Sequence, residues 1–238
     1  MPPQKCQPLS VKVISPESTF FIHLWKIITQ NPEDTLIITI GMKKLLVSLF
    51  ALFAFTFSYA QEQFGTYHCS YYDCDLQILA SEKGAGYDIY LEVFGACGDT
   101  MSGTTFQIEG DKNIRQFIDA LESMKKQFIE WSSEANQNGR KGYEKRFDVN
   151  LPYFKVLWDY SGLHYDYHPT PKPRFIVLDS GQCTAVISGV ATASDNESLK
   201  NNYFFILSSV SDFDKLISSI QIEQLDEYFY YDVNGLFY

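Results

Sequence analysis

The sequence predicts an α+β fold, an antiparallel sheet with two helices on one face, assembled from two β-β-β-α pseudo-repeats. Three observations lead there. First, residues 104–109 set Thr104, Phe106 and Ile108 against Thr105, Gln107 and Glu109, the period of a half-buried strand. Gly110 breaks the alternation, and Asp111 can cap a helix by accepting first-turn N–H groups. Ile114, Phe117, Ile118, Leu121, Met124, Phe128 and Trp131 then recur every three or four residues as one apolar stripe. Arg115, Asp119, Glu122, Lys125, Lys126 and Glu130 fall on the opposite face.

The second observation is an echo about 98 residues later. Phe204 and Ile206 stand in for Phe106 and Ile108, and Phe213, Leu216, Ile217 and Ile220 repeat the helical spacing. Ser211 with Asp214 three residues on resembles a capping box. The third observation lies upstream. Residues 76–80 and 87–94 match 174–178 and 185–192 in strand character at the same offset. A strand-strand-strand-helix unit used twice, over about 64–135 and 146–222, accounts for all of these matches.

Taken in order, residues 1–41 show no sustained period and read as an upstream mistranslation. Met42 then opens a signal peptide over 42–60. Lys43 and Lys44 supply its charge, residues 45–57 its apolar core, and Ser58-Tyr59-Ala60 its cleavage site. Cleavage after Ala60 leaves residues 61–238 as a single exported domain, periplasmic or extracellular. The rival reading is a genuine extension with an uncleaved anchor. The residue directly after the cleavage site is Gln61 and not Cys, which argues against a lipid anchor.

Residues 64–72 and 76–80 read as strands around a turn near Asp73, and 81–86 as a turn. Residues 87–94 form a strand with one wet face, and 95–103 a loop. Residues 136–145 read as a linker. Phe147, Val149 and Leu151 alternate until Pro152 interrupts them. Residues 153–160 and 163–168 are extended, ended by prolines at 169, 171 and 173. Residues 175–178 and 184–193 make a hairpin around Ser180-Gly181, residues 194–202 a polar loop, and 225–238 an aromatic tail and possible last strand.

The full chain carries a net charge of −10, and residues 1–60 hold five lysines against three acids, so the mature chain is more acidic still. Such a surface repels nucleic acid and anionic lipid, and excludes both as partners. The run Arg140, Lys141, Lys145, Arg146 reads as a solvated linker.

Chemistry-bearing motifs are few. No Gly-x-Ser-x-Gly elbow and no phosphate-cradling glycine loop is present, and no cofactor is implied. His164, Asp166 and His168 share one strand face, where two of them could join a third ligand around a divalent metal. A polar strand face beside a proline-rich turn is the blander reading. Asp73 and Asp75 flank Cys74 as turn residues. Tyr71, Tyr72, Tyr165, Tyr167 and Tyr230 are candidates for an exposed aromatic patch that stacks on sugar rings or apolar partners.

Four cysteines follow the signal: Cys69, Cys74, Cys97 and Cys183. Export lets disulfides persist, and four thiols allow three pairings. Cys69 can meet Cys74 across a turn. If the strands at 87–94 and 185–192 pair with Leu91 facing Gly189, Cys97 faces Cys183.

The signal ending at Ala60-Gln61, the run 117–131, Asn201-x-x-Phe204 and Ser209-x-x-Asp212-Phe213 resemble small exported proteins of Bacteroidetes-type bacteria. That loose group has no assigned function, so the resemblance implies export and transfers no catalytic residue. The sequence therefore points to an exported soluble binding domain rather than an enzyme, its partner a polysaccharide, an envelope protein or a second copy. The alternative is a metal-dependent hydrolase using His164, Asp166 and His168. The terminal Phe237-Tyr238 also suits an outer-membrane barrel, against which the long helix argues.

Overall fold

The computed structural model describes residues 62–235, with side chains through residue 230. The expectations for residues 1–41 and for the signal peptide at 42–60 lie outside the described residues. Ten strands and three helices are found within them. The first part of the chain runs β1 (Glu62–Cys69), β2 (Cys74–Lys83), β3 (Gly86–Cys97), β4 (Thr100–Glu109) and α1 (Asp111–Gln137). The second runs β5 (Tyr143–Arg146), β6 (Lys155–Asp159), β7 (Leu163–Asp166), β8 (Lys172–Val177), β9 (Cys183–Ala193) and β10 (Asn196–Leu207). Helices α2 (Val210–Ser219) and α3 (Ile222–Gly235) close the described chain. The fold is α+β with an antiparallel sheet, as its strand and helix periods predict.

The sheet follows the order β5-β8-β9-β10-β3-β4-β6-β7, with β1 and β2 branching from β3. The branch arises because β3 shares one edge between two partners. Its first half pairs with β2, from Gly86↔Lys83 to Leu91↔Ile78. Its second half pairs with β10 through Phe94↔Phe204, Gly95↔Tyr203 and Ala96↔Asn202. The other edge of β3 is laddered to β4 from Asp88↔Glu109 to Cys97↔Thr100. At the far end the path returns toward β9, where Ser194 N–H donates to the Tyr165 carbonyl at 2.9 Å.

One face of the strands supplies the core. In β4, Ser102, Thr104, Phe106 and Ile108 are buried while the residues between them are not. Helix α1 buries Ile114, Phe117, Leu121, Met124 and Phe128 of the predicted stripe, while Ile118 and Trp131 are partly buried at its margin. Phe128 meets Phe175 of β8 and Phe213 of α2, with ring centroids at 5.8 and 5.6 Å. Each buried Leu, Ile, Phe or Met contributes about 1.5–3 kcal/mol of transfer free energy, so this stripe dominates what holds α1 in place. Among the described residues no helix is long and apolar enough to cross a membrane.

Several expectations are corrected. Among the described residues there are three helices, not two: residues 222–235, read as an aromatic tail and last strand, form α3. Ile222, Leu225 and Phe229 are buried at spacings of three and four, a short helical stripe. The loops read at 95–103 and 194–202 are tight turns between long strands, because polar Thr100, Asn201 and Asn202 sit within ladders. Residues 147–151 alternate yet form no strand, although Phe147 packs on Trp131 at 5.2 Å. The linker at 136–145 is shorter than read, since α1 runs to Gln137 and β5 begins at Tyr143. Helix α2 is capped by Ser209, whose hydroxyl accepts from Asp212 N–H, and not by Ser211. The register that faced Cys97 with Cys183 required β3 to pair with β9, but β10 lies between them.

Candidate binding face on the β6–β7 hairpin

Strands β6 and β7 form a short hairpin with Trp158↔His164, Leu157↔Tyr165 and Val156↔Asp166 as partners. Side chains alternate across a strand, so β7 sends its residues two ways. His164 and Asp166 share the face of buried Trp158 and Val156. Leu163, Tyr165 and Tyr167 take the other face.

The inward set holds the hairpin in place. The His164 ring lies 5.7 Å from the Trp158 ring. Its Nε2 is 3.1 Å from the Tyr160 carbonyl. Its Nδ1 lies 3.4 Å from an Asp195 carboxylate oxygen. Asp166 uses both carboxylate oxygens on backbone, accepting His168 N–H at 2.9 Å and Thr192 N–H at 3.0 Å. It thereby ties β7 to β9. Asp166 also places negative charge near Tyr203, whose phenol is pushed well above its ordinary range chiefly by burial and secondarily by that charge. His168 does not join this cluster; its ring packs on Tyr153 at 6.0 Å. The strand face singled out in the sequence thus acts as a clamp, and among the described residues no three His, Cys, Asp or Glu side chains converge to hold a metal ion.

The outward set is aromatic and accessible. Tyr165 and Tyr167 lie nearly parallel, with centroids 6.1 Å apart and planes 10° apart. Burial raises the Tyr165 phenol's pKa, Tyr167 adds to the rise, and Lys155 opposes it. Lys155 Nζ sits 5.4 Å from the Tyr167 ring centre and pairs with Glu109 at 2.8 Å. Tyr153, Tyr160, Leu163 and Tyr167 are each between 38% and 54% exposed, a concentration of large apolar groups on one short hairpin. Contiguous exposed apolar groups are where a contact surface is sought.

The remaining aromatic candidates fall elsewhere. Tyr71 and Tyr72 occupy the β1–β2 turn with rings 4.9 Å apart. Tyr72 also meets Phe94 at 4.6 Å and Phe204 at 6.3 Å, so it anchors the turn against the stacked pair at the β3–β10 junction. Tyr230 is exposed on α3. Sequence reasoning missed Tyr153 and Tyr160, which bracket β6 and carry no motif. It also missed a recess of about 130 Å³ between the end of α1 and β5, where Lys145 Nζ stands 3.9 Å above the Trp131 ring. The basic run read as a linker therefore covers an aromatic wall. No protein-family model, curated protein or solved structure matches the chain.

Proposed function

We propose that the protein is an exported, non-catalytic binding domain that holds a neutral polysaccharide on the outward face of β6 and β7. The observation that carries this reading is the division of labour along β7. Its polar residues are spent on fixing the hairpin, while half-buried Tyr165 lies parallel to Tyr167, whose exposed ring follows just past the strand's end. Parallel tyrosine rings offer apolar faces to the C–H surfaces of sugar rings at little entropic cost, since a tyrosine has few rotamers to lose. Lys155 and Glu109, beside Tyr167, offer a donor and acceptors for hydroxyl groups. The acidic surface disfavours polyanions, which selects neutral chains.

The same proposal includes the architecture behind the face. The order β2-β3-β4-α1 matches β8-β9-β10-α2, with the third strands ending at Glu109 and Leu207 and the helices starting at Asp111 and Val210. We take these as two copies of one unit, whose helices α1 and α2 cover one sheet face and leave the other for ligand.

Retardation on immobilised neutral glucans, xylans and mannans tests the reading. The full chain is expected to be held back by at least one of them, and a Tyr165→Ala/Tyr167→Ala double variant to elute with the void. Elution of the parent chain with the void on all of them, or retention unchanged in the double variant, defeats the proposal. Export is tested separately by the mass of the protein recovered from its host, which should begin at Gln61.

A further inference from the structure

We propose that Cys69 and Cys74 are joined by a disulfide that closes the β1–β2 turn. The two residues are direct partners on the last rung of the ladder, Cys69↔Cys74. Cys69 is buried and Cys74 half-buried, in step with Tyr67 and Leu76 two residues away on the same face. Facing Cβ atoms in an antiparallel pair stand about 4.5–5.5 Å apart, and a disulfide spans about 3.5–4.5 Å between Cβ atoms, so slight closing suffices.

The turn between them is built to hold that approach. Tyr72 N–H donates to the Cys69 carbonyl at 3.2 Å. Asp73 takes the left-handed conformation with φ 52°, which Asp tolerates better than most residues. Ser70 Oγ donates to Asp212 at 2.7 Å, which fastens the turn to the start of α2. On the opposite strand face His68 Nδ1 lies 2.8 Å from Asp75. The sulfurs are thus presented to each other by a turn that its neighbours already fix. Cys97 and Cys183 have no such arrangement, because β10 separates β3 from β9.

The chemistry is thiol–disulfide exchange with a protein or small-molecule disulfide as oxidant. The thiolate of Cys74, the more exposed of the two, attacks one oxidant sulfur, forms a mixed disulfide and expels the other sulfur as a thiolate. The Cys69 thiolate then attacks the Cys74 sulfur and expels the second oxidant thiolate. The protein loses two hydrogens and the oxidant becomes two thiols. The bond encloses the four residues Ser70 to Asp73, so its effect is to hold Tyr71 and Tyr72 in place rather than to constrain the unfolded chain broadly.

The test is alkylation mapping on the purified, reduced full chain exposed to oxidised glutathione. No Lys or Arg lies between Cys69 and Cys74, so one tryptic peptide reports both. That peptide is expected to become two hydrogens lighter and resistant to alkylation until reduced, while Cys97 and Cys183 remain alkylatable in denaturant. In a Cys69→Ser variant, Cys74 should stop at the glutathione adduct. Full alkylation of both residues, stable double glutathione adducts, or a link to Cys97 or Cys183 overturns the proposal. The compartment rests on the export reading and is distinguishable: a bridge that forms in vitro but is absent from protein isolated from the host counts against export, not against the pairing.

Discussion

The two strand-to-helix passages of this molecule are alike in plan and opposite in support. Both bring an antiparallel strand into a helix within three residues. Helix α1 has Gly110 as its N-cap, with no side-chain cap, and is held from outside: Gly110 N–H donates to Asp88 at 3.0 Å, and Asp111 accepts from Tyr87 N–H at 2.9 Å. It then buries a stripe along 27 residues. Helix α2 has 10 residues and leans on its entry. Asp212, buried in its first turn, accepts Ser208 N–H at 2.8 Å, Ser208 Oγ at 3.0 Å and Ser70 Oγ at 2.7 Å. A long stripe makes a helix indifferent to its first turn, whereas a short one makes that turn decisive.

Substitutions sharpen this contrast. The largest effect is expected outside both passages, at the row Gly95–Tyr203–Gly189 that crosses β3, β10 and β9. A Cβ at Gly95 falls 1.8 Å from Thr104 Oγ1 and 2.7 Å from its Cβ. Thr104 cannot retreat, since Ser102 and Asn201 hold it at 3.0 and 2.9 Å in a buried triad. Gly95→Ala should cost about 3 kcal/mol or more, read as a drop in urea midpoint, or should prevent soluble recovery. At Gly189 the obstacles are the hydroxyl and ring Cζ of Tyr203, at 2.4 and 2.7 Å, which belong to one side chain that no hydrogen bond among the described residues holds and not to a bonded triad. Gly189→Ala should cost about 1–3 kcal/mol, and a cost equal to that of Gly95→Ala would break the distinction.

Asp212→Ala should follow, at about 2–3 kcal/mol, because it strands the Ser208 N–H and hydroxyl beside a buried site and cuts the tie to Ser70. Asp88→Ala should cost only about 1 kcal/mol, since Gly110 N–H also reaches the Tyr87 carbonyl at 2.9 Å. Equal costs in denaturant titration would refute the idea that α2 depends on its entry more than α1.

Acid titration addresses the same pair. Burial pushes the Asp212 carboxyl up, but hydrogen bonds from Ser70, Ser208 and Ser209 outweigh it and hold the pKa below the ordinary carboxylate value. A depressed folded pKa contributes stability that is complete above the unfolded value of about 3.9 and is lost as pH falls through the folded one. The urea midpoint should therefore fall below about pH 4, and Asp212→Asn should flatten that part of the profile. The smallest effect belongs to Tyr167→Ala, expected within about 0.5 kcal/mol of the parent because its ring is on the surface. A larger loss would mean that the tyrosine supports the hairpin rather than presenting itself.

What could be read beforehand follows from how far each signal reaches. The α1 stripe is local and periodic and was legible, but the cap read at Asp111 is not formed: its carboxylate accepts Tyr87 N–H from β3, a partner that no local spacing reveals. The α2 start was misplaced by two residues because Ser209-x-x-Asp212 and Ser211-x-x-Asp214 have the same local spacing. Only Ser70, from another part of the chain, favours Asp212. Asn201 belonged to a motif noticed in the sequence, but its role as a tie from β10 to β4 needed the sheet order. His164 and Asp166 were legible as one face of one strand. That this face points inward depends on Trp158 and Thr192, which no spacing rule connects to them.

The forked edge of β3 also bears on how the chain reaches this state. Most ladders join strands adjacent in sequence, which close quickly because the intervening loops are short. The β3–β10 junction joins Phe94 to Phe204 across more than a hundred residues, with only three rungs to reward that closure. The slow step of folding should therefore be the meeting of two preformed meanders at the stacked Phe94–Phe204 pair. Phe204→Leu should slow refolding more than it speeds unfolding, whereas changes in the β1–β2 turn should act mainly on unfolding. Until that meeting, the second half of β3 exposes an unpaired apolar edge, so the interval before closure is when two chains can capture one another.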